Sequence, residues 1–238
     1  MSFNFREGEI LLINKPYTWS SFQAVNKLKH GLKKHPSLLL DGKYIHLKIG
    51  HAGTLDPLAT GLLIVCTGKK TKEISSFQNL NKEYTGTFYI GATTPCFDKE
   101  KEVDAHYPTS HITEELIKET AQKFIGIQQQ TPPLYSAVLI DGTRAYEFAR
   151  EGKEVELKSR EIEIKTFDIT DIKLPYVSFK ITCSKGTYIR SIARDFGMAL
   201  NSGAYLTELC RTKIGEYSLT QALSPQVFLD NVALTIKI

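Results

Sequence analysis

The chain has 238 residues, of which 42% are hydrophobic and 24% charged, a composition typical of a soluble globular protein with a sizeable core. No apolar run approaches the roughly 18 residues that a membrane span needs, and the first residues lack the features of a signal peptide, so we expect a cytoplasmic protein. The formal net charge of +4 is compatible with a nucleic-acid partner but is weak evidence for one.

The predicted elements alternate irregularly along the chain. Apolar runs and period-two alternation predict strands near residues 9–14, 43–49, 62–65, 83–91, 161–172, 177–183 and 218. Apolar stripes that follow Ser or Thr predict helices near residues 20–34, 113–125, 187–200 and after 224. We therefore expect an α+β fold with a mixed, largely antiparallel central sheet flanked by helices, in a single domain over residues 1–238.

Residues 50–61, with the sequence GHAGTLDPLATG, form a loop between two predicted strands. Its glycines permit backbone conformations that a Cβ would forbid, and Pro57 pushes Asp56 into the extended region. Asp56 is thus a carboxylate on a stiff loop at the rim of the predicted sheet, where catalytic groups are commonly placed. Its ordinary interpretation is an Asp-Pro turn.

The common cofactor and metal motifs are absent from the sequence. The four cysteines form no C-x-x-C pair and the histidines do not cluster, so no metal is predicted. A carboxylate such as Asp56 can act as a covalent nucleophile, and a nearby arginine such as Arg190 would favour its ionised form. Tyr84 could stack on a nucleic-acid base. Their ordinary interpretations are an exposed helical arginine and a half-buried strand tyrosine.

The loop of Asp56 closely resembles the signature of the TruB family of tRNA pseudouridine synthases. The other matching segments, in chain order, are residues 13–16, residues 82–84 with Ile90, Gly91 and Thr93, residues 131–137 with Gly142, Tyr146, Ala149, Arg150 and Gly152, residues 183–190 with Asp195 and Gly197, and residues 206–209 with Arg211 and Thr212. The resemblance covers about residues 9–217. It implies the pseudouridine synthase fold, with a small RNA-gripping insertion at about residues 128–152.

The resemblance also implies the reaction, which is isomerisation of uridine 55 in the T-loop of tRNA to pseudouridine without a cofactor. Asp56 matches the catalytic aspartate that attacks the flipped-out nucleotide, at either C1′ of the ribose or C6 of the uracil. Arg190 matches the arginine that pairs with this aspartate, and Tyr84 the tyrosine that stacks on the base. The implied substrate contacts are His51, Lys15, Tyr188 and Leu209.

Further expectations concern the RNA and other partners. Extruding the uridine needs a positive cleft for the phosphates, and the candidate lysines are Lys27, Lys29, Lys33, Lys34, Lys69, Lys70 and Lys72. Cys210 stands where the family often has arginine, which puts one phosphate contact in doubt. The chain has about twenty residues after Tyr217, too few for a C-terminal PUA domain, so we expect RNA affinity to depend more on the insertion at about residues 128–152 and no protein partner to be required. We also expect a monomer that binds the tRNA T-stem-loop.

Two other classes of function remain open at this point. A non-catalytic RNA-binding or tRNA-folding protein would use the same surface, and its RNA binding would not depend on Asp56. A glycosidase-type hydrolase would need a second carboxylate at a suitable distance from Asp56, and no other acidic residue stands out in the sequence.

Overall fold

The computed structural model describes residues 3–136, 138–140, 142–153 and 155–236. Within these ranges the helices are α1 (Ser21–Leu32), α2 (Ile74–Asn79), α3 (Glu114–Lys123), α4 (Ala145–Arg150), α5 (Ile189–Ala199) and α6 (Pro225–Ile236). The strands are β1 (Ile10–Lys15), β2 (Leu39–Leu40), β3 (Lys43–Tyr44), β4 (Ile49–His51), β5 (Ala59–Thr67), β6 (Lys82–Ile90), β7 (Ala92–Thr93), β8 (Ala105–His106), β9 (Gly126–Gln130), β10 (Leu139–Ile140), β11 (Thr143–Arg144), β12 (Arg160–Lys173), β13 (Tyr176–Cys183), β14 (Ala204–Ile214) and β15 (Tyr217–Ser218). Ala137 of the RNA-gripping segment lies outside the described residues, as do the side chains of Ala149 and Arg150.

The chain divides into two compact units. Unit 1 consists of Met1–Glu83 and Cys210–Ile238, and unit 2 of Tyr84–Leu209. Unit 1 is therefore discontinuous in sequence, and the whole of unit 2 lies between its two segments. The prediction of one catalytic domain over the whole chain stays a prediction.

The central strand of unit 1 is β5, which was predicted from the apolar run at residues 62–65. Strand β1 pairs with it antiparallel, from Ile10 opposite Cys66 to Lys15 opposite Gly61, and β4 pairs with its last residues. The side chains of Leu62 to Cys66 are completely buried. Helix α1 begins with a capping box formed by Ser20 and Gln23, and it packs with α6 on one face of these strands.

Unit 2 is a second arrangement of mostly antiparallel strands, in the order β6, β13, β12 and β9. Four phenylalanines fill its interior, with ring centroids 4.2 to 6.3 Å apart, and each of them is almost completely buried; they are Phe88, Phe167, Phe179 and Phe196. Helix α3 packs on β12 and begins at Thr113, whose hydroxyl accepts a hydrogen bond from the backbone of Leu116. Aromatic rings of this kind stabilise a core through both buried area and edge-to-face geometry.

The predicted fold class is confirmed, because mostly antiparallel strands in a mixed sheet are flanked by helices. The strand predicted at residues 43–49 is wrong in extent. Residues 43–49 form two short strands, β3 and the start of β4, that pair with different partners, and residues 45–48 belong to neither. Leu47 is nevertheless buried in the core of unit 1, so its apolar alternation reflects packing without strand pairing. Among the described residues, no helix is long and apolar enough to cross a membrane.

Candidate active site

The loop that carries Asp56 connects β4 to β5 in unit 1. Asp56 is half-buried, and its backbone carbonyl accepts a hydrogen bond from the N–H of Ala59 at 3.1 Å, which closes a turn around Pro57. At the end of the loop Gly61 has φ of +104°, and a Cβ there would lie 2.4 Å from the backbone oxygen of Arg211. Only glycine fits this position, so the close approach of β5 and β14 explains one of the loop's three glycines.

Lys15 ends β1 as a completely buried cation beside this loop. Its Nζ donates hydrogen bonds to the backbone carbonyls of Trp19 at 2.5 Å, Pro16 at 3.0 Å and Pro57 at 3.4 Å. Burial lowers the pKa of Lys15 to about 8, and the charge of Asp56 acts in the opposite direction. The predicted site residues Lys15 and Asp56 are thus brought together within unit 1.

Arg211 of β14 is a second buried cation next to the loop, and it is only 1% exposed. Its guanidinium donates to the carbonyl of Leu62 at 2.8 Å and to that of Gly53 at 3.1 Å. These bonds join the beginning of the Asp56 loop to the strand that follows it. Arg211 lies in one of the segments that match the TruB family, but the local sequence indicates no role for it, because its partners are far away in the chain.

His51, the predicted RNA contact, ends β4 and is partly exposed. Burial lowers its pKa, the positive charge of Arg211 lowers it further, and the backbone of Gly53 acts in the opposite direction. The Nδ1 atom is buried and makes no hydrogen bond of proper geometry with the described residues. In a neutral imidazole one ring nitrogen donates a hydrogen bond and the other accepts one.

Arg190 lies in the first turn of α5 in unit 2 and is only 4% exposed. Its ordinary interpretation as an exposed helical arginine is therefore wrong. The guanidinium donates to the carbonyls of Tyr135 at 2.9 Å and Cys96 at 3.2 Å, and its Nε lies 3.6 Å from a carboxylate oxygen of Asp98. Asp98 is itself buried, so unit 2 contains a buried ion pair that nothing in the local sequence pattern indicates.

Tyr188 is the N-cap residue of α5, and two neighbours fix its position. The side-chain amide of buried Gln130 accepts a hydrogen bond from the Tyr188 N–H at 2.8 Å and donates one to the Tyr188 carbonyl at 3.1 Å. The guanidinium of Arg160 lies over the Tyr188 ring at 4.5 Å. The end of β9 and the start of β12 thus hold the first turn of the helix that carries Arg190.

The two remaining predicted site residues are on strands of unit 2. Tyr84 lies on β6 and is 8% exposed, so it is more deeply buried than its ordinary interpretation as a half-buried tyrosine. Leu209 lies on β14 and is partly exposed.

The candidate phosphate-binding lysines differ in their surroundings. Lys27, Lys33 and Lys34 are exposed. Lys69 forms an ion pair with Glu7, and Lys70 one with Glu73 at 2.8 Å, so their charges are partly balanced within unit 1. Across the described parts of the chain, no group of three or more His, Cys, Asp or Glu residues is placed to hold a metal ion.

Comparison with solved structures shows the fold. The chain is similar to one described as the structure of an H/ACA RNP bound to a substrate RNA containing 2′-deoxyuridine, with a TM-score of 0.70 and 22% sequence identity. The match covers 98% of this chain and 56% of the other, so this chain spans little more than half the length of that protein.

Comparison of sequences shows the family. The chain is 55% identical to a tRNA pseudouridine synthase B of Flavobacterium johnsoniae, over 96% of this chain and 97% of the relative. It is 52% identical to a tRNA pseudouridine synthase B of Phocaeicola vulgatus, over 94% of this chain and 93% of the relative. The family described as TruB family pseudouridylate synthase (N terminal domain) matches residues 42–189. The chain is therefore an enzyme of the pseudouridine synthase class, an isomerase. It belongs to the TruB family, as its resemblance to that family implied.

Proposed function

We propose that this protein converts uridine 55 in the T-loop of tRNA to pseudouridine, with Asp56 as the nucleophile. The observation that carries the proposal is the identity of about half of all residues, over nearly the whole chain, to relatives named tRNA pseudouridine synthase B. Since the reaction detaches the uracil and rejoins it to the same ribose, product and substrate have the same composition. The proposal therefore includes no cofactor and no metal.

The chemistry assigns separate tasks to the site residues. The bond between C1′ and N1 of the uracil breaks, the base turns, a bond between C1′ and C5 forms, and the C5 proton moves to solvent while N1 gains one. Asp56 attacks the nucleotide, at C1′ or at C6, and its bond to the nucleotide breaks again before the product leaves, which regenerates the carboxylate. Its half-buried position on a loop with a fixed backbone supports this task. Tyr84 and Arg190 complete the catalytic set in the roles that the resemblance gives them.

The substrate contacts in this proposal are His51, Lys15, Tyr188 and Leu209. The partly exposed and neutral imidazole of His51 supports a contact to the RNA. For Lys15 the geometry favours an indirect role over a direct contact with the RNA. Its ammonium group donates three hydrogen bonds to backbone carbonyls of unit 1. We therefore propose that Lys15 acts on the substrate mainly through the loop that it holds.

The tRNA T-stem-loop is the proposed partner. The target uridine must leave the base stack, which costs a few kcal/mol that contacts to the phosphates and the extruded base offset. Exposed Lys27, Lys33 and Lys34 are better candidates for phosphate contacts than the ion-paired Lys69 and Lys70. We propose that residues 1–238 act as one catalytic domain, as a monomer in the cytoplasm and without a protein partner.

The test measures tritium release from a T-stem-loop transcript that carries [5-³H]uridine, with purified protein and no added metal or nucleotide. We expect turnover by the wild type and none on a transcript with cytidine at position 55. Asp56→Asn should lower kcat by about 10⁴-fold or more, as loss of a nucleophile does in other enzymes. RNA affinity should change little.

The matched control is Asp41→Asn, which makes the same chemical change at an exposed turn residue with φ of +48°. Asparagine tolerates this conformation, so the control should keep full activity. An inactive wild type, or an Asp56→Asn enzyme as active as this control, contradicts the proposal. If the wild type is inactive but binds the T-stem-loop as tightly as Asp56→Asn does, the result would instead favour the class of non-catalytic RNA-binding proteins.

A further inference from the structure

Ser21 makes an unusual pair of hydrogen bonds to the residue that precedes Asp56. Its Oγ accepts a hydrogen bond from the Leu55 N–H at 2.8 Å and donates one to the Leu55 carbonyl at 3.1 Å. Ser21 is 1% exposed and Leu55 is 3% exposed, so water does not compete for these groups. A single hydroxyl thus satisfies both backbone polar groups of Leu55.

The hydroxyl of Ser21 has no part in capping the helix on which it lies. Helix α1 is capped by the preceding residue, Ser20, whose Oγ accepts from the N–H of Gln23 at 3.1 Å while the Gln23 side chain bonds back to Ser20. Helix capping therefore explains Ser20 and leaves Ser21 unexplained. The contact that Ser21 does make lies 34 residues away in sequence.

The backbone is held on the other side of Asp56 as well. Lys15 donates to the Pro57 carbonyl, and the carbonyl of Asp56 accepts from Ala59. The backbone carbonyls of Leu55, Asp56 and Pro57 therefore each have a partner. The backbone is thus held on both sides of the Cα that bears the Asp56 carboxylate.

We propose that Ser21 is a positioning residue for Asp56: its hydroxyl fixes the Leu55 backbone, and this places the carboxylate for attack on the nucleotide. The proposal rests on the proposed function, because it gives Ser21 a task only if Asp56 is the nucleophile. A displacement of about 1 Å in a reacting group can cost about 100-fold in rate, so the loss of this contact should affect the chemical step.

The main experiment compares Ser21→Ala with Ser20→Ala in single-turnover and steady-state assays of pseudouridine formation. Both variants lose one hydroxyl at the start of the same helix, but only Ser21→Ala releases Leu55. We expect kcat per folded molecule to fall about 10- to 100-fold for Ser21→Ala, with KM changed less than about threefold. Ser20→Ala should lower thermal stability and leave kcat per folded molecule within about twofold of wild type.

Ser21→Cys is the second variant, because a thiol fills nearly the same space with a weaker hydrogen-bonding group. Its kcat should lie between those of Ser21→Ala and the wild type, and it keeps the test decisive if Ser21→Ala does not fold. If Ser21 had a purely structural role, Ser21→Ala and Ser20→Ala would lower the folded fraction equally, and neither would change kcat per folded molecule. That result, or a wild-type kcat in folded Ser21→Ala or Ser21→Cys, overturns the inference.

The wild type and Asp56→Asn run in the same assay, which separates the inference from the proposed function. If the wild type is inactive or Asp56→Asn is active, the proposed function fails and Ser21 has no carboxylate to place. If both behave as expected and Ser21→Ala turns over like Ser20→Ala, the function stands and only the positioning role fails.

Discussion

The two units bury their cations in different ways. In unit 1, Lys15 and Arg211 bond to backbone carbonyls of the segments around Asp56, as far as the described residues show, and the carboxylate that acts on Lys15, that of Asp56, is only half-buried. In unit 2, Arg190 bonds to two carbonyls and also lies beside the buried carboxylate of Asp98. A cation that bonds carbonyls fixes the path of the backbone, whereas a cation beside a buried carboxylate also balances its charge. Removing each cation should therefore leave different groups unsatisfied.

The largest effect is expected in unit 2, for Arg190→Met. The substitution leaves Asp98 buried without the guanidinium, and breaking a buried ion pair typically costs about 3 to 5 kcal/mol. Urea unfolding followed by circular dichroism should show a loss of this size in the free energy of unfolding. Adding Asp98→Asn should recover part of the loss, and a double variant no more stable than Arg190→Met would mean that Asp98 does not depend on this arginine.

A somewhat smaller loss is expected in unit 1 for Arg211→Met. The buried carbonyls of Leu62 and Gly53 lose their donors, at about 1 to 3 kcal/mol for each, so we expect about 2 to 4 kcal/mol in total. Arg211→Lys should not restore the stability, because an ammonium group lacks the planar fork that reaches both carbonyls. Full recovery with lysine would show that charge alone, and not the fork, stabilises this position.

The smallest effect concerns Lys15 and depends on pH. Its pKa in the folded protein is about 8, below the ordinary value of 10.5. Between these values the folded protein has lost the proton that the unfolded chain keeps, so the contribution of Lys15 to stability rises with pH. From pH 7.5 to 9.5 the wild type should gain about 2 kcal/mol relative to Lys15→Met. Urea unfolding at both pH values measures this difference in the free energy of unfolding. If the wild type and Lys15→Met depend on pH in the same way, the pKa of Lys15 in the folded protein is not lowered.

Local patterns in the sequence predicted much of the fold and the central loop. The apolar run at residues 62–65 became the buried middle of β5, and Thr113 caps α3 as expected. These features depend on residues close together in sequence. The reason for suspecting Asp56, a carboxylate on a stiff loop beside a buried strand, likewise came from its immediate neighbours.

The contacts that hold the site could not be predicted in the same way. Arg211 bonds to residues 149 and 158 positions earlier in the chain, and Ser21 to one 34 positions later. Their residue types suggest an exposed arginine on a strand and a serine that caps a helix, because charged side chains are usually exposed and serine is common at the start of helices. Only the packing of distant segments reveals that these polar groups are buried and what they bind.

The discontinuity of unit 1 has a consequence for the order in which the protein can mature during translation. The Asp56 loop is complete in sequence by residue 61, but the guanidinium that bonds Gly53 and Leu62 arrives with Arg211, after all of unit 2 has been synthesised. Until then two carbonyls flanking the loop lack their donor, and β5 lacks the neighbour that approaches Gly61. A nascent chain therefore carries every residue of the loop well before Arg211 is present to bond Gly53 and Leu62.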